Sequence, residues 1–234
     1  MTPAVAPVAV LALQGALLLL ALEGARRENV AAAVNGLASL GAALAPRALE
    51  ATLWGAGSGV DVGPTLPLWI GVAGVLHSLG MLGLYESTAW WDHLTHAVSA
   101  ALVAALVYAG VVVLTRGTPL DAHAVRGAAT LAFVVGVGVF WELVELAARH
   151  VGERYGVEPV LVHYGPRDTV LDLAFNVVGA LAVVALDLRT FVPLAGQSPA
   201  ATRQLLVTTG AAVVALSVLL TLWISPGDAL RPSP

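Results

Sequence analysis

Residues 90–114, WWDHLTHAVSAALVAALVYAGVVVL, indicate the fold class of this chain most clearly. This stretch opens with polar side chains, and from Ala97 to Leu114 it carries no charged residue. A helix needs about 20 consecutive, mostly apolar residues to cross the hydrocarbon core of a bilayer. The run lacks the period-two alternation of a barrel strand, so it predicts a transmembrane helix with a polar beginning.

Six further apolar segments lie on either side of this stretch, separated by charged or Pro- and Gly-rich breaks. The seven segments are 3–22, 29–45, 66–85, 90–114, 127–148, 169–186 and 205–224. The second is short and carries Asn35, and it either tilts or continues past Pro46 as a kinked helix, so whether it fully spans is left open. The pattern predicts an all-α, polytopic transmembrane helical bundle of about seven spans.

The chain shows no internal repeat and no loop large enough to bury its own core. We therefore expect residues 1–234 to form one integral membrane domain. Its motif-bearing core is 66–186, and its peripheral helices are 3–45 and 205–224. The expected location is the cell membrane, as a multi-pass protein surrounded by membrane lipids.

The composition excludes several classes of protein. The chain is 58% hydrophobic and 11% charged, with a mean hydropathy of +0.86, whereas a soluble domain is about a quarter charged. This excludes a soluble globular enzyme and a disordered chain. Cysteine is absent, which excludes a disulfide scaffold and a thiolate metal site. The net charge is −4 without a long basic run, so nucleic acid is not expected as a partner. The oligomeric state cannot be read from this composition.

Polar side chains cluster within the third to sixth segments. Consecutive helices alternate in direction, so the third and fifth segments end at the membrane face where the fourth and sixth begin. The polar residues near that face are His77, Asp92, His96, Glu142, Glu145, Asp168, Asp172 and Asn176. Spacings of three and four residues also align them in stripes on their helices. We therefore expect them to meet inside the bundle, toward one face of the membrane.

These residues require a physical reason, because an acidic side chain at a helix centre costs about 2.5–3.5 kcal/mol on insertion scales. Four carboxylates together cost up to about 10 kcal/mol, and less near the interface. Clustered carboxylates either share protons or hold a cation. Intramembrane ionisable residues are candidates for function by default. A polar network that only locks the helices together is the structural alternative.

Histidine and carboxylate ligands without thiolate suit Zn²⁺, Mn²⁺, Fe²⁺ or Mg²⁺. The metal ligands that we predict are Asp92, His96, Glu142 and Asp172, with His77, Asp168 and Asn176 as further candidates. Glu145 is the predicted general base that activates water. Arg167 or Arg149 would donate to an anionic head group. His93 lies one position off its stripe, and His163 lies in the loop near this face; both are interpreted as non-ligands.

The motifs of the fourth to sixth segments resemble the YjdF-like family of integral membrane proteins. The matching residues are Asp92 and His96, Trp141-Glu142-Leu143-Val144-Glu145, Asp168-Thr169-Val170-Leu171-Asp172, and Gly179-Ala180. Asn176 and Gly179 also give a distant similarity to VanZ-like proteins. The chain departs from VanZ-like proteins at His93, Ala97 and Glu145, where those proteins usually have Lys, Phe and Gln. Glycopeptide resistance is therefore not expected. The resemblance covers residues 90–179 and implies a membrane fold without a defined activity.

Three functions are compatible with these residues. The first is a metal-dependent or acid–base enzyme that acts on a lipid-linked or amphiphilic substrate. The second is a transporter or channel for protons or a divalent cation, which needs a polar path to the opposite face. The distal half of the fourth segment, residues 103–114, offers only Tyr108 for such a path. The third is a structural or regulatory membrane protein whose polar cluster sets the packing.

Overall fold

The computed structural model describes residues 5–52, 61–157, 159–161 and 165–224, and its regular structure in these ranges is entirely helical. A π-helical turn at Gly80–Leu84 joins α3 to α4. The helices are α1 (Val5–Arg26), α2 (Val30–Thr52), α3 (Thr65–Leu79), α4 (Tyr85–Ser87), α5 (Trp91–Thr115), α6 (His123–Tyr155), α7 (Pro166–Ala185), α8 (Val192–Gln197) and α9 (Pro199–Ile224). The all-α prediction is confirmed.

Six helical stretches in the described residues are long and apolar enough to cross a membrane. They are α1, the stretch Thr65–Ser87 that runs from α3 through α4, and α5, α6, α7 and α9. The second predicted segment forms α2, which continues past Pro46 to Thr52, but α2 is not among the six. A multi-pass membrane protein is therefore confirmed, whereas the count of about seven spans is not.

Helices α1, α2 and α3 form one packed group, in which α2 runs antiparallel to the other two. Small residues allow the close approach. A Cβ added to Gly36 of α2 would lie 3.0 Å from the Cα of Ala21 in α1. One added to Gly74 of α3 would lie 2.9 Å from the Cβ of Ser39 in α2. These contacts place the start of α2 beside the ends of α1 and α3.

Helices α5, α6 and α7 form the second group, and α9 packs on its outer side against α5 and α6. Parallel α5 and α7 touch at Gly179, where an added Cβ would overlap with the carbonyl oxygen of Ala97. Helix α6 runs antiparallel to α7, with Gly138 against Asn176 and Leu173. The core lies between α5 and α7 in the half of the bundle far from the start of α5, and Tyr108 at its centre is fully buried.

The two groups meet mainly where α3 packs against α5. The Trp91 indole donates to the Leu76 carbonyl over 3.0 Å, which fixes the end of α3 beside the beginning of α5. The beginnings of α5 and α7 thus lie at the same end of the bundle as the ends of α3 and α6. We call this end the site face.

A polar contact joins α5 to the turn after α7 at the end of the bundle opposite the site face. The buried Tyr108 hydroxyl of α5 donates to Asp187, which follows α7, over 2.5 Å. Arg189 donates to the same carboxylate over 2.9 Å. These donors, with Arg189 contributing more, hold the pKa of Asp187 below its ordinary value. The contact ties the turn after α7 to the core of α5.

Candidate functional site

Three predicted ligands converge at the site face. Asp92 and His96 lie one turn apart on α5, so both project from the same side of that helix. His96 Nε2 is 3.7 Å from Asp92 Oδ1 and 3.8 Å from Asp172 Oδ1 on α7. One ligand atom from each of the three lies within 4.8 Å of the others. We call Asp92, His96 and Asp172 the ligand group.

The close contact between α5 and α7 explains how short aspartate side chains reach a histidine on another helix. Ala97, which follows His96, touches Gly179 at the backbone. Gly179 lies two turns beyond Asp172 on the same side of α7. Because any side chain at Gly179 would overlap with α5, glycine is what permits this spacing of the helices.

The ligand group is largely withdrawn from solvent. Asp172 is 1% exposed, and its Oδ1 accepts no hydrogen bond from the residues that the structure describes. The side chains of His96 and Asp92 are 13% and 22% exposed. A buried charge without a partner is strongly unfavourable. Two carboxylates and a neutral imidazole would present the two negative charges that a divalent cation balances.

The spacing of the ligand atoms suits a small divalent ion. Around a tetrahedral zinc with bonds of about 2.1 Å, ligand atoms lie about 3.4 Å apart. The two separations from His96 Nε2, 3.7 Å and 3.8 Å, need to shrink by only a few tenths of an ångström, and all three ligand atoms lie within 4.8 Å of one another. Catalytic zinc sites typically have three protein ligands and one open position. The ligand group has this number of ligands and a chemically suitable donor set.

The ligand group lies in the wall of a cavity of about 370 Å³ between the two helix groups. This volume falls in the range of small-molecule pockets. At the site face the cavity is bordered by polar residues that include Glu145 and Asp168. Farther in, its wall is formed by apolar residues that include Ile70, Val103 and Val134. The cavity is therefore amphipathic along its length.

The two glutamates of α6 take different positions. Glu145 lines the cavity and accepts a hydrogen bond from the Trp141 indole over 2.8 Å. Glu142 is buried, with 7% of its surface exposed, and it does not belong to the ligand group. Its role as a ligand stays a prediction, and Glu145 has the better position for contact with a substrate.

His77 lines the same cavity, but hydrogen bonds occupy both of its ring nitrogens. Nε2 is 3.1 Å from Asn35 Oδ1, and Nδ1 is 2.7 Å from the Tyr85 hydroxyl. Asn35 Nδ2 donates to the carbonyls of Ala31 and Val160, which leaves Oδ1 to face His77. Because an amide oxygen only accepts, Nε2 carries the proton and Nδ1 accepts from Tyr85. His77 in this arrangement is a positioned wall residue rather than a metal ligand.

The remaining predicted site residues are placed at the border of the cavity or outside it. Asp168 and the buried Asn176 line the cavity. Arg167 lies in the first turn of α7 and is exposed. Arg149 of α6 is also exposed, and it forms an ion pair with Glu153 over 2.8 Å. Neither arginine lines the cavity, so their contact with a head group stays a prediction.

The histidines interpreted as non-ligands are placed as follows. His93 stacks on Phe175 of α7, with ring centroids 4.4 Å apart. This contact agrees with its interpretation as a packing residue. His163 lies outside the described residues.

Sequence reasoning missed three wall residues. Tyr85 lines the cavity because the π-helical turn brings its ring against Gly80, where an added Cβ would overlap with the ring. Trp141 appeared only within the motif that resembles the YjdF-like family, and Asn35 only as a polar residue in the short second segment. The sequence signal for Asn35 was that a polar residue interrupts an apolar segment. No sequence signal indicated its hydrogen-bond partner, the Val160 carbonyl, which lies 125 residues away.

The comparisons with known proteins agree with the membrane fold. No curated protein and no solved structure matches the chain significantly. The distant VanZ-like similarity finds no support among them. A family model described as "Predicted membrane protein (DUF2238)" matches residues 7–192, which is most of the chain, and this match is consistent with the YjdF-like resemblance. The chain therefore belongs to the DUF2238 family of predicted membrane proteins.

Proposed function

We propose that the protein is a membrane-embedded, metal-dependent enzyme that acts on the polar part of an amphiphilic or lipid-linked substrate. One observation carries the proposal: Asp92, His96 and Asp172 converge in the wall of a cavity that is polar at the site face and apolar farther in. Such a cavity can hold an amphiphile with its polar group beside the ligand group. The buried Oδ1 of Asp172 accepts no hydrogen bond from the described residues, which further supports a cation as its partner.

The reaction that we expect from a divalent ion beside a general base is hydrolysis. A divalent ion held by the ligand group would polarise the scissile group and lower the pKa of water. Glu145 would take one proton from the attacking water, whose oxygen forms the new bond to phosphorus or carbonyl carbon. The bond to the leaving group then breaks, and the leaving group takes up the proton. Arg167, in the first turn of α7 at the site face, would pair with an anionic head group.

A one-sided site favours an enzyme over a transporter. Beyond the cavity, α5 and α7 pack through Ala104, Ala105 and Val183, which are fully buried. In the described residues this packing provides no polar path from the ligand group to the contact between Tyr108 and Asp187. An intramembrane ion pathway would need ionisable or polar side chains along its length.

Metal content of the detergent-purified protein tests the proposal. We expect about one equivalent of a divalent metal by inductively coupled plasma mass spectrometry. His96→Ala should lose it. The matched control His150→Ala should retain it, because His150 packs edge-on against Trp223 on the outer side of α6.

The samples must also be loaded after chelation with Zn²⁺, Mn²⁺, Fe²⁺ and Mg²⁺ in turn, so that loss during purification is not mistaken for absence. Failure of every ion to bind the wild type would overturn the metal-dependent mechanism. It would leave the polar cluster as a proton-sharing or packing network. Binding that His96→Ala leaves unchanged would place the metal elsewhere and would equally contradict the proposal.

A further inference from the structure

The cavity that contains the ligand group is formed between two helix groups that separate on one side. Its walls come from α2 and α3 on one side and from α5, α6 and α7 on the other. Where α3 meets α5, the groups are packed together. Helices α2 and α6 also line the cavity, but in the described residues they make no extended packing contact with each other. On this side the described residues leave α2 and α6 apart, and we call the space between them the gap.

The gap lies part-way along the helices that border it. Ala42 of α2 and Trp141 of α6 both line the cavity, and both are exposed. Ala42 is about 18 Å along α2 from Val30, at about 1.5 Å per residue. The hydrocarbon core is about 30 Å thick. Because α6 is long and apolar enough to cross a membrane and Trp141 lies near its middle, we expect the gap to face lipid chains rather than water.

Between the gap and the site face, a hydrogen bond joins α2 to the connection between α6 and α7. Asn35 donates to the Val160 carbonyl over 2.7 Å, and Leu161 lines the cavity beside it. Asn35 lies one turn closer to the site face than Ser39, which also lines the cavity. The gap therefore opens laterally between the helices, and the hydrogen bond between Asn35 and Val160 separates it from the site face.

The walls next to the gap match a hydrocarbon chain. Ala42, Ala73, Val103, Val134 and Val137 line this part of the cavity. Along α5 the cavity extends from Asp92 to Val103, about 16 Å at about 1.5 Å per residue. That length is about half the thickness of the hydrocarbon core, which is the depth that one lipid chain occupies in a leaflet.

From this geometry we infer that one hydrocarbon chain of a phosphate-bearing membrane lipid enters between α2 and α6 and occupies the apolar half of the cavity. The lipid phosphate then lies beside Asp92, His96 and Asp172. A divalent cation there would attract a phosphate, which the carboxylates alone would repel. The inference rests on the proposed function for the position of the head group, whereas the chain site rests on the gap and the walls.

Photo-cross-linking in vesicles tests the inference. The full chain is reconstituted with phosphatidylglycerol that carries a diazirine in the middle of one acyl chain, and labelled positions are mapped by mass spectrometry. We expect labels at Ala42, Val134 and Val137. Ala42→Trp and Val137→Trp, which fill the gap from opposite sides, should each reduce cavity labelling at least fivefold. A polyprenyl phosphate and an acyl phospholipid without diazirine serve as separate competitors and identify which chain is preferred.

The matched control is Leu44→Trp, on the same helix as Ala42. Leu44 is 45% exposed and does not line the cavity, so cavity labelling should stay at the wild-type level. Two gap variants are used so that misfolding of one does not decide the result. Labels confined to outward surfaces such as α9, or labelling of Val134 that neither gap variant reduces, would overturn the inference.

Metal content of the same samples separates this inference from the proposed function. Cavity labelling in a protein that binds no metal would support the chain site and overturn the metal-dependent mechanism. Metal binding without cavity labelling would support the metal site and overturn the lateral lipid entry. Retention of metal in Ala42→Trp, together with loss of labelling, would show that the two features are separate and that both are present.

Discussion

Gly179 of α7 lies so close to Ala97 of α5 that an added Cβ would overlap with the Ala97 carbonyl oxygen. The contact holds two parallel helices backbone to backbone just beyond His96 and Asp172. Small residues have this role in many membrane bundles, where packing rather than the hydrophobic effect drives helix association. At this position the spacing of the helices also sets the spacing of the ligand group.

Substitution of Gly179 should therefore impair both stability and metal binding. Gly179→Leu must push α7 away from α5, and overpacking of this kind typically costs about 1–3 kcal/mol. We expect a lower unfolding temperature in detergent and loss of bound metal. Gly15→Ala is the matched control, since an added Cβ at Gly15 of α1 meets nothing within 4 Å. Wild-type metal content in Gly179→Leu would show that the helix contact does not position the ligands.

Much of the fold follows from hydropathy and alternation of direction. The apolar segments locate the long helices, and their order places Asp92, His96 and Asp172 at one end. Helical phase alone does not tell which of Glu142 and Glu145 lines the cavity, because the rotation of α6 is set by its packing against α7 and α9. His77 could not be assigned from local sequence, because its partner Asn35 lies 42 residues away.

The structure also differs from the prediction in where α6 ends. Helix α6 continues to Tyr155, beyond the predicted end of its apolar segment at residue 148, because charged residues at the membrane surface remain compatible with helix. The exposed pair of Arg149 and Glu153 at i and i+4 supports the extra turns.

Asp172→Asn separates a metal site from a packing network. Loss of a metal ligand should lower the affinity for a divalent ion by more than about 10-fold, since even residues behind the ligands cost 10–100-fold. The unfolding temperature without metal should stay equal or rise, because a buried carboxylate is removed. Isothermal titration of the chelated protein measures the affinity. A large loss of stability without any metal binding in the wild type would favour the packing network.

His77 should prove dispensable for metal binding. His77→Phe removes the hydrogen bonds to Asn35 and Tyr85, and loss of such bonds typically costs about 1 kcal/mol each. We expect a lower unfolding temperature with unchanged metal content, in contrast to His96→Ala. Tyr85→Phe, which removes only one of the bonds, should have the smaller effect. Loss of metal in His77→Phe that Tyr85→Phe does not share would make His77 a ligand.

The contact between Tyr108 and Asp187 should depend on pH. Arg189 and Tyr108 donate to the carboxylate and hold the pKa of Asp187 below its ordinary value, which is about 3.9 in an unfolded chain. Its stabilising effect is therefore fully present above that value and is lost as the pH falls through the lower pKa of the folded state.

Asp187→Asn tests this dependence. Asp187 is 42% exposed, so solvent screening keeps the effect small. We expect a slightly lower unfolding temperature at pH 7, and the difference from the wild type should become smaller as the pH falls below about 3.9. A difference between the two proteins that grows as the pH falls would contradict the proposed sign.

Glu145→Gln distinguishes catalysis from binding. Glutamine keeps an oxygen that can accept the Trp141 hydrogen bond, so the wall of the cavity should be preserved, but it cannot take a proton from water. Loss of a general base typically slows a reaction 10²–10⁴-fold. We expect normal metal content and normal lipid labelling, together with accumulation of a lipid substrate in cells that carry the variant. Lipid extracts are compared by mass spectrometry with those from wild-type cells and from cells with Glu153→Gln, a matched exposed position on the same helix. Identical lipids in all three, with metal bound in each, would exclude Glu145 as the base and favour a role of the metal site in transport.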